Sequence, residues 1–248
     1  MIKSEKKQRV RLDQLLFEKG LAKSRSNASA LIMAGKVIVK GKSNLKPGMF
    51  LSEDAEVEVM PGKKWVGRGG EKLEGALKDF GIDNTKGIWL DCGASTGGFT
   101  HVLLSNGANK VYAMDVGYGQ LDSLVRNDNR AVVIDRFNIR NISKAVVPEL
   151  LDGVTLDLSF ISSRLILPLL PPFLNSNAIV ILLFKPQFEA GKGEVGKGGV
   201  IRKKEILENT LDNFRKWCAE KNYIIENEAP SQIKGQKGNT EYFFKLKL

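Results

Sequence analysis

Four ionisable residues, Lys72, Asp157, Lys185 and Glu241, fall at predicted strand ends or beside a predicted C-terminal hairpin. Two lysines with two carboxylates can orient a weakly acidic hydroxyl and move its proton, because a lysine beside another cation yields its own proton more readily. A second group sits in LDCGASTGGFT (90–100), where an apolar run closes on Asp91 and opens into a loop of small residues. The spacing is Asp91-x-Gly93-x-x-x-Gly97, with Thr96 and Gly98 completing a loop that leads into a predicted helix. A dinucleotide loop carries glycine at the middle position so that its backbone can reach a pyrophosphate. Ser95 stands there, so the spacing favours a ligand without pyrophosphate. Asp115 ends the next predicted strand, where an acid accepts both hydroxyls of a ribose, and Asp135 ends the third, placed to meet an adenine amino group.

Other chemistries are excluded by what the sequence lacks. His101 is the one histidine, so no zinc site is expected and Ser-His-Asp or Cys-His catalysis would have to run through it. Its place is the first turn of the helix after the glycine loop. Cys92 and Cys218 sit in apolar surroundings and form no CxxC, which predicts buried thiols of an intracellular protein. GKGEVGKG (191–198) approaches a nucleotide-hydrolase phosphate loop, but Gly198 stands where Ser or Thr must hold magnesium. A basic loop near the substrate is the better reading.

The elements that position these residues follow from periodicity. GIWLD, KVYAMD, AVVID, GVTLD and AIVILLF alternate with helical patterns, which predicts an α/β fold with a parallel sheet covered on both faces. YIIENEA and EYFFKLKL flank a loop and predict an antiparallel hairpin at the sheet edge. LILPLLPPFL (165–174) reads as a helix that ends at its prolines. Ahead of the sheet, EKLEGALKDFG (71–81) predicts a helix preceded by a linker over 61–70.

Residues 1–64 form a different unit. They hold 14 Lys/Arg against 7 Asp/Glu, whereas the remainder holds 24 against 21, so a quarter of the chain carries most of the net charge of +10. That asymmetry predicts a polyanion-binding module on a nearly neutral domain. RLDQLLFEKGL (11–21) and a second helix capped by Ser24 precede short strands in VIVKGK, PGMFL and AEVEV. Arg9, Arg11, Lys23, Arg25, Lys36, Lys40 and Lys42 lie off the apolar stripe and could line one surface; Arg68, in the linker, extends the set. No secretory signal or membrane-spanning run is visible, so a cytoplasmic, soluble protein is expected.

Resemblances sharpen these readings. RLDxLLxxxGLAxSRxxAxxLIxxGxVxV resembles the small RNA-binding domain of ribosomal-protein-S4 type, which implies an S4-like domain over 1–60 and a methyltransferase domain over 71–248. D-x-G-x-x-x-G resembles the first motif of S-adenosylmethionine-dependent methyltransferases, which implies a Rossmann-like domain and S-adenosyl-L-methionine as cofactor. DLSF replaces the [D/N]PP[Y/F] of base-nitrogen methyltransferases, and neither cysteine suits attack on a pyrimidine carbon, so a ribose hydroxyl remains as acceptor. The set Lys72, Asp157, Lys185 and Glu241 resembles the tetrad of FtsJ-like ribose 2′-O-methyltransferases. That resemblance implies that Lys185 lowers the hydroxyl's proton affinity or takes its proton and that Asp157 steers the ammonium. Lys72 and Glu241 would orient the ribose.

RGGEKLEGAL, YAMDVGYGQL, DLSFIS, KPQFEAGKGEVGKGGV and KGQKGNTEYF together resemble the TlyA (hemolysin A) family across nearly the whole chain. The family implies methylation of cytidine 2′-hydroxyls in ribosomal RNA, with ribosomal RNA or subunits as partners. Cys92, Ser163, Lys203 and Leu207 depart from the family's usual residues, and none belongs to the tetrad. Two other classes stay open at this level: a non-catalytic RNA-binding ribosome-assembly factor, and a membrane-active hemolysin.

Overall fold

A computed structural model describes residues 8–60, 62, 64–191, 193–196 and 198–248. The chain divides into two compact units, Met1–Lys63 and Lys64–Leu248.

In the first unit, β1 (Arg9–Arg11) leads into α1 (Leu12–Glu18) and α2 (Arg25–Met33), followed by β2 (Val37–Val39), β3 (Phe50–Ser52) and β4 (Val57–Val59). β1 pairs with β3, and β2 with β4, both antiparallel. The helices meet through Leu12, Leu15, Leu16, Ala28 and Ile32, all buried, and Val37, Val39, Leu51 and Val57 close the same core. Gly20 ends α1 by adopting φ +70°, the left-handed conformation that costs glycine least. The Ser24 side chain accepts a bond from the Asn27 N–H at 3.1 Å and starts α2.

The second unit opens with α3 (Arg68–Asp79), then β5 (Ile88–Cys92), α4 (Gly98–Ser105), β6 (Lys110–Met114), the short α5 (Ser123–Arg126), β7 (Ala131–Ile134) and β8 (Leu151–Leu156). β9 (Leu174–Phe184), the single turn α6 (Pro186–Glu189), α7 (Lys204–Glu220), β10 (Ile224–Pro230) and β11 (Tyr242–Lys247) complete it. The strands form one seven-stranded sheet in the order β10-β11-β9-β8-β5-β6-β7. β5 to β9 run parallel, whereas β11 is antiparallel to both its neighbours. Consecutive residues of one strand enter opposite cores: Leu182, Phe184 and Phe244 pack with Phe214 of α7, while Ile181, Leu183 and Phe243 pack with Leu73 of α3 and Val102 of α4. This period of two is what a sheet covered on both faces requires.

Two expectations need correction. α3 begins at Arg68, not Glu71, because its glycines are a packing surface: a Cβ on Gly70 would lie 2.4 Å from Trp65 Cβ and 3.1 Å from the Gly98 carbonyl oxygen. Trp65 is itself buried in the second unit's core, so the expected linker 61–70 overlaps that unit. LILPLLPPFL makes no α-helix. Its prolines remove the required N–H groups, and the chain crosses the sheet as successive 3-10 turns that bury Ile166, Leu167, Leu170 and Phe173. The C-terminal hairpin stands at the sheet edge as expected, with β10 outermost and β11 paired antiparallel to both β10 and β9.

Candidate active site

Strand order reverses at β5, which has β6 on one side and β8 on the other. In open α/β sheets a ligand crevice opens outside the carboxyl ends of the strands at such a point. A cleft of about 550 Å³ opens there, and Lys72, Asp157, Lys185 and Glu241 all line it. Residues separated by 169 positions meet because α3, β8, β9 and the start of β11 converge at one end of the sheet.

The four side chains form two ion pairs. Lys185 Nζ lies 2.6 Å from Asp157 Oδ1 and donates to Ser159 Oγ at 3.1 Å. Lys72 Nζ lies 2.5 Å from Glu241 Oε2. The pairs differ in burial: the Lys72 and Glu241 side chains are 10% and 4% exposed, those of Lys185 and Asp157 11% and 23%. The second pair therefore has the more accessible carboxylate. Gly69, one turn before Lys72, lets α3 approach: a Cβ there would meet Phe99 Cδ1 at 3.3 Å and Asp157 Oδ2 at 3.9 Å.

The glycine loop forms the adjoining wall. Gly93, Ser95, Thr96 and Gly98 line the cleft, and the N-terminal end of α4 opens onto it. A side chain on Gly93 would strike the Asp157 backbone oxygen at 2.4 Å, so glycine here allows β5 and β8 to close up. Ser95 takes φ +48°, a left-handed conformation that is costly for a residue with a side chain, and its N–H donates to Asp115 Oδ2 at 2.8 Å. Asp115 Oδ1 accepts from the Gly117 N–H at 2.7 Å. Any Cβ at 117 would stand 3.1 Å from that oxygen, so Gly117 keeps the carboxylate approachable.

Four of the expected cofactor-binding residues do not line the cleft. Gly97 turns the chain into α4 with φ +89°. Asp135 pairs with Arg126 at 3.0 Å. Asp115 lies beyond the loop that it braces. Asp91, expected to touch a ligand, is fully buried behind the loop, where it accepts from Thr100 Oγ1 at 2.6 Å and Thr155 Oγ1 at 2.9 Å. It ties α4 to β8. Burial pushes its carboxyl up to about 6 against the pull of those two bonds, and the nearby Asp157 charge adds to the rise. Cys92 is buried beside it, and burial raises its thiol well above the ordinary range, which makes it inert. His101 lies in the first turn of α4, edge-on to Trp65 at 5.0 Å, outside the cleft lining, with burial lowering its imidazole.

Arg68 reaches over the cleft wall and donates to the Lys234 carbonyl at 2.7 Å; Lys237 is a further cation on the lining. The other basic candidates belong to the first unit. Asp13, 4% exposed, holds Arg11 at 2.8 Å and lies 3.6 Å from Arg25, fixing two guanidinium groups. Arg9 donates to the Phe50 carbonyl at 3.1 Å, and Lys40 pairs with Glu56 at 3.1 Å. Lys23 and Lys42 are exposed and Lys36 half-buried; none has an ion-pair partner among the described residues.

Sequence reasoning missed three groups. Ser159 shares the Lys185 ammonium. Phe160, 89% exposed with φ +63°, and Phe188 place their rings 5.0 Å apart at the cleft. An exposed aromatic in a strained backbone leaves no periodic signal, although its place three residues after Asp157 was visible. Asn239, buried, donates to the Gly199 carbonyl at 2.7 Å and accepts from the Ile201 N–H at 3.0 Å, joining the loop before α7 to the segment that carries Glu241. No helix starts directly after GKGEVGKG, as a phosphate loop requires; the next begins at Lys204.

A profile of FtsJ-like methyltransferases matches residues 65–248, and an S4-domain profile matches residues 10–57. The chain is 43% identical over 234 residues to Hemolysin A of Brachyspira hyodysenteriae, covering 94% of this chain and 98% of that one. It is 42% identical over 241 residues to the 16S/23S rRNA (cytidine-2′-O)-methyltransferase TlyA of Mycobacterium tuberculosis, covering 96% and 90%. A solved Streptococcus thermophilus protein carrying a hemolysin label superposes with a TM-score of 0.71 at 37% identity, covering 96% of this chain and 88% of that one.

Proposed function

We propose a specific reaction on the premise that this chain belongs to the FtsJ-like methyltransferases and, within them, to the TlyA (hemolysin A) family. It is a methyltransferase with an S4 domain, and its reaction is transfer of a methyl group from S-adenosyl-L-methionine to a ribose 2′-hydroxyl of ribosomal RNA, with cytidine as the nucleotide. The observation that carries this reading is the Lys185–Asp157 pair at the reversal point of the sheet, on one cleft with the glycine loop and the Lys72–Glu241 pair.

The cleft suits the cofactor. Its volume lies in the range of small-molecule sites, the helix N-terminus favours a carboxylate, and Asp115 with Gly117 beside it offers a ribose-accepting acid on the next strand. Gly93, Ser95, Thr96 and Gly98 would hold the amino-acid end, and Asp135 would face the adenine once released from Arg126. Bound there, S-adenosylmethionine supplies an electrophilic methyl on a positively charged sulfur.

Lys185 then acts on the acceptor. An ammonium has three donors; Asp157 and Ser159 take two, leaving one for the 2′-oxygen. In the reacting form that third position is the lone pair of the neutral amine, which takes the 2′-hydroxyl proton at Nζ as the oxygen bonds the methyl, so that Lys185 ends as the ammonium and S-adenosylhomocysteine leaves. Asp157 fixes the direction of the ammonium. Lys72 and Glu241, paired and almost fully buried, line the same cleft and orient the ribose. The exposed Phe160 ring offers a surface on which an unstacked base can rest.

Arg9, Arg11, Lys23, Arg25, Lys36, Lys40 and Lys42 would grip RNA phosphates on the first unit, with Arg68 doing so at the cleft. The hemolysin name of one relative draws no support from the elements: among the described residues no helix is long and apolar enough to cross a membrane.

The test is to incubate the protein with S-adenosylmethionine and ribosomal subunits from cells lacking the gene, then digest the RNA for mass spectrometry. A methyl group on the ribose of a cytidine, with resistance to alkaline cleavage at that position, supports the reading. A methyl group on a base overturns it.

A further inference from the structure

The catalytic lysine and its aspartate leave from neighbouring strands, and each is followed by a segment that must hold its direction. Asp157 leads into Ser159, Phe160, Ser162 and Ser163 after β8; Lys185 leads into Pro186, Phe188 and Glu189 after β9. These two segments are joined at three levels. Lys185 meets Asp157 and Ser159, the Phe188 and Phe160 rings meet at 5.0 Å, and Glu189 closes the far end.

The closure at Glu189 is dense. Its Oε2 accepts from Ser162 Oγ at 2.6 Å, and its Oε1 accepts from the Ser163 N–H at 2.6 Å and from Ser163 Oγ at 2.7 Å. The side chain is 4% exposed, and Arg164 Nε stands 4.0 Å away. Between Lys185 and Glu189 lies a single helical turn begun by Pro186, whose fixed φ makes it stiff. A carboxylate anchored at one end of that turn therefore limits where the lysine at the other end can stand. Across the gap, the same carboxylate fixes the serines that end the stretch containing Ser159 and the left-handed Phe160.

We propose that Glu189 is a positioning residue for methyl transfer, clasping Ser162 and Ser163 so that the Lys185 ammonium and the Asp157 carboxylate keep their alignment. Glu189 touches neither substrate nor cofactor in this account, and the inference rests on the reading of Lys185 and Asp157 given above. Misplacement of a catalytic group by a fraction of an ångström is felt in turnover before it is felt in binding.

The test compares Glu189→Ala, Glu189→Gln and Ser163→Ala in the full chain, using tritium-labelled S-adenosylmethionine and ribosomal subunits from cells lacking the gene. Glu189→Ala should lower kcat on the order of tenfold to a hundredfold, with KM for both substrates and the melting temperature little changed. Glu189→Gln keeps an acceptor for the Ser163 N–H and can donate to a serine oxygen, so it should recover most of the loss. Ser163→Ala should lower kcat less, and its effect should be non-additive with Glu189→Ala. Glu189→Ala turnover within twofold of wild type overturns the proposal. So does a fall in kcat, affinities and melting temperature together that Glu189→Gln does not restore. Lys185→Ala is run alongside: an active Lys185→Ala protein would instead overturn the underlying assignment of the lysine.

Discussion

Lys185 Nζ and Asp157 Oδ1 stand 2.6 Å apart where β9 and β8 end side by side, and the cleft they line is also walled by the glycine loop that follows β5. Three parallel strands thus deliver an ammonium, a carboxylate and a cofactor-sized loop to one place.

Asp115 should serve the cofactor. It is braced by the Ser95 and Gly117 N–H groups and keeps lone pairs for a ribose. Asp115→Ala should weaken S-adenosylmethionine binding by about 2–4 kcal/mol, since it removes charged acceptors from two hydroxyls and loosens the strained loop. Titration calorimetry with wild-type affinity would remove Asp115 from the site.

The Lys72–Glu241 pair should matter to stability and to turnover in separable ways. Lys72→Met leaves the Glu241 charge buried without its partner and should destabilise the fold by about 3–5 kcal/mol. The double variant Lys72→Met/Glu241→Met should regain most of that stability and remain inactive. Denaturant unfolding beside methyl-transfer assays checks both halves. An active double variant would make the pair structural only.

Asp91 gives a pH dependence. Its folded value of about 6 lies above the ordinary 3.8, so between those values the folded state holds the proton more tightly than the unfolded state does. The protonated form contributes its full stability below pH 3.8, and that contribution is lost as pH rises to 6. The loss is about 3 kcal/mol. Asp91→Asn cannot titrate there. The stability difference between wild type and Asp91→Asn should therefore shrink, or turn against wild type, by about that amount between pH 4 and pH 7. A difference that stays flat across the range would contradict the burial argument.

RNA affinity should depend steeply on salt, through the basic first unit. Lys23→Ala/Lys36→Ala/Lys42→Ala removes three cations that lack ion-pair partners among the described residues. If all three contact phosphates, the slope of log K against log salt should shrink by about two to three, with S-adenosylmethionine binding untouched. An unchanged slope in filter-binding titrations would move the RNA contact elsewhere.

The sheet was legible because β5 to β9 bury both faces and so read as apolar runs. Asp157 and Lys185 were legible because each closes such a run, and Lys72 and Glu241 because they follow the expected order around them, one in α3 and one just before β11. Asp91 was misread for the same reason: an acid closing a strand looks alike whether its carboxylate faces a ligand or, as here, Thr100 and Thr155. The start of α3 was misread because Gly69 and Gly70 carry a loop signal when the neighbours they pack against, Phe99, Trp65 and Gly98, are out of view. β11 was placed beside β9 only by tertiary pairing, which no local period encodes. Glu189, Ser159 and Asn239 act through partners 26 to 40 residues away, beyond any spacing rule.

The central claim is that Lys185, aimed by Asp157, activates a ribose hydroxyl. Its most direct test is the single-turnover rate of methyl transfer by Lys185→Ala, measured with saturating S-adenosylmethionine and ribosomal subunits. The account predicts a fall of at least about a hundredfold, the range of a lost proton-transfer group, with both substrates still bound. Lys185→Arg should fail as well, because a guanidinium does not give up its proton and cannot sit as a point charge between Asp157 and Ser159. A Lys185→Ala protein that transfers methyl groups at close to the wild-type rate would contradict it.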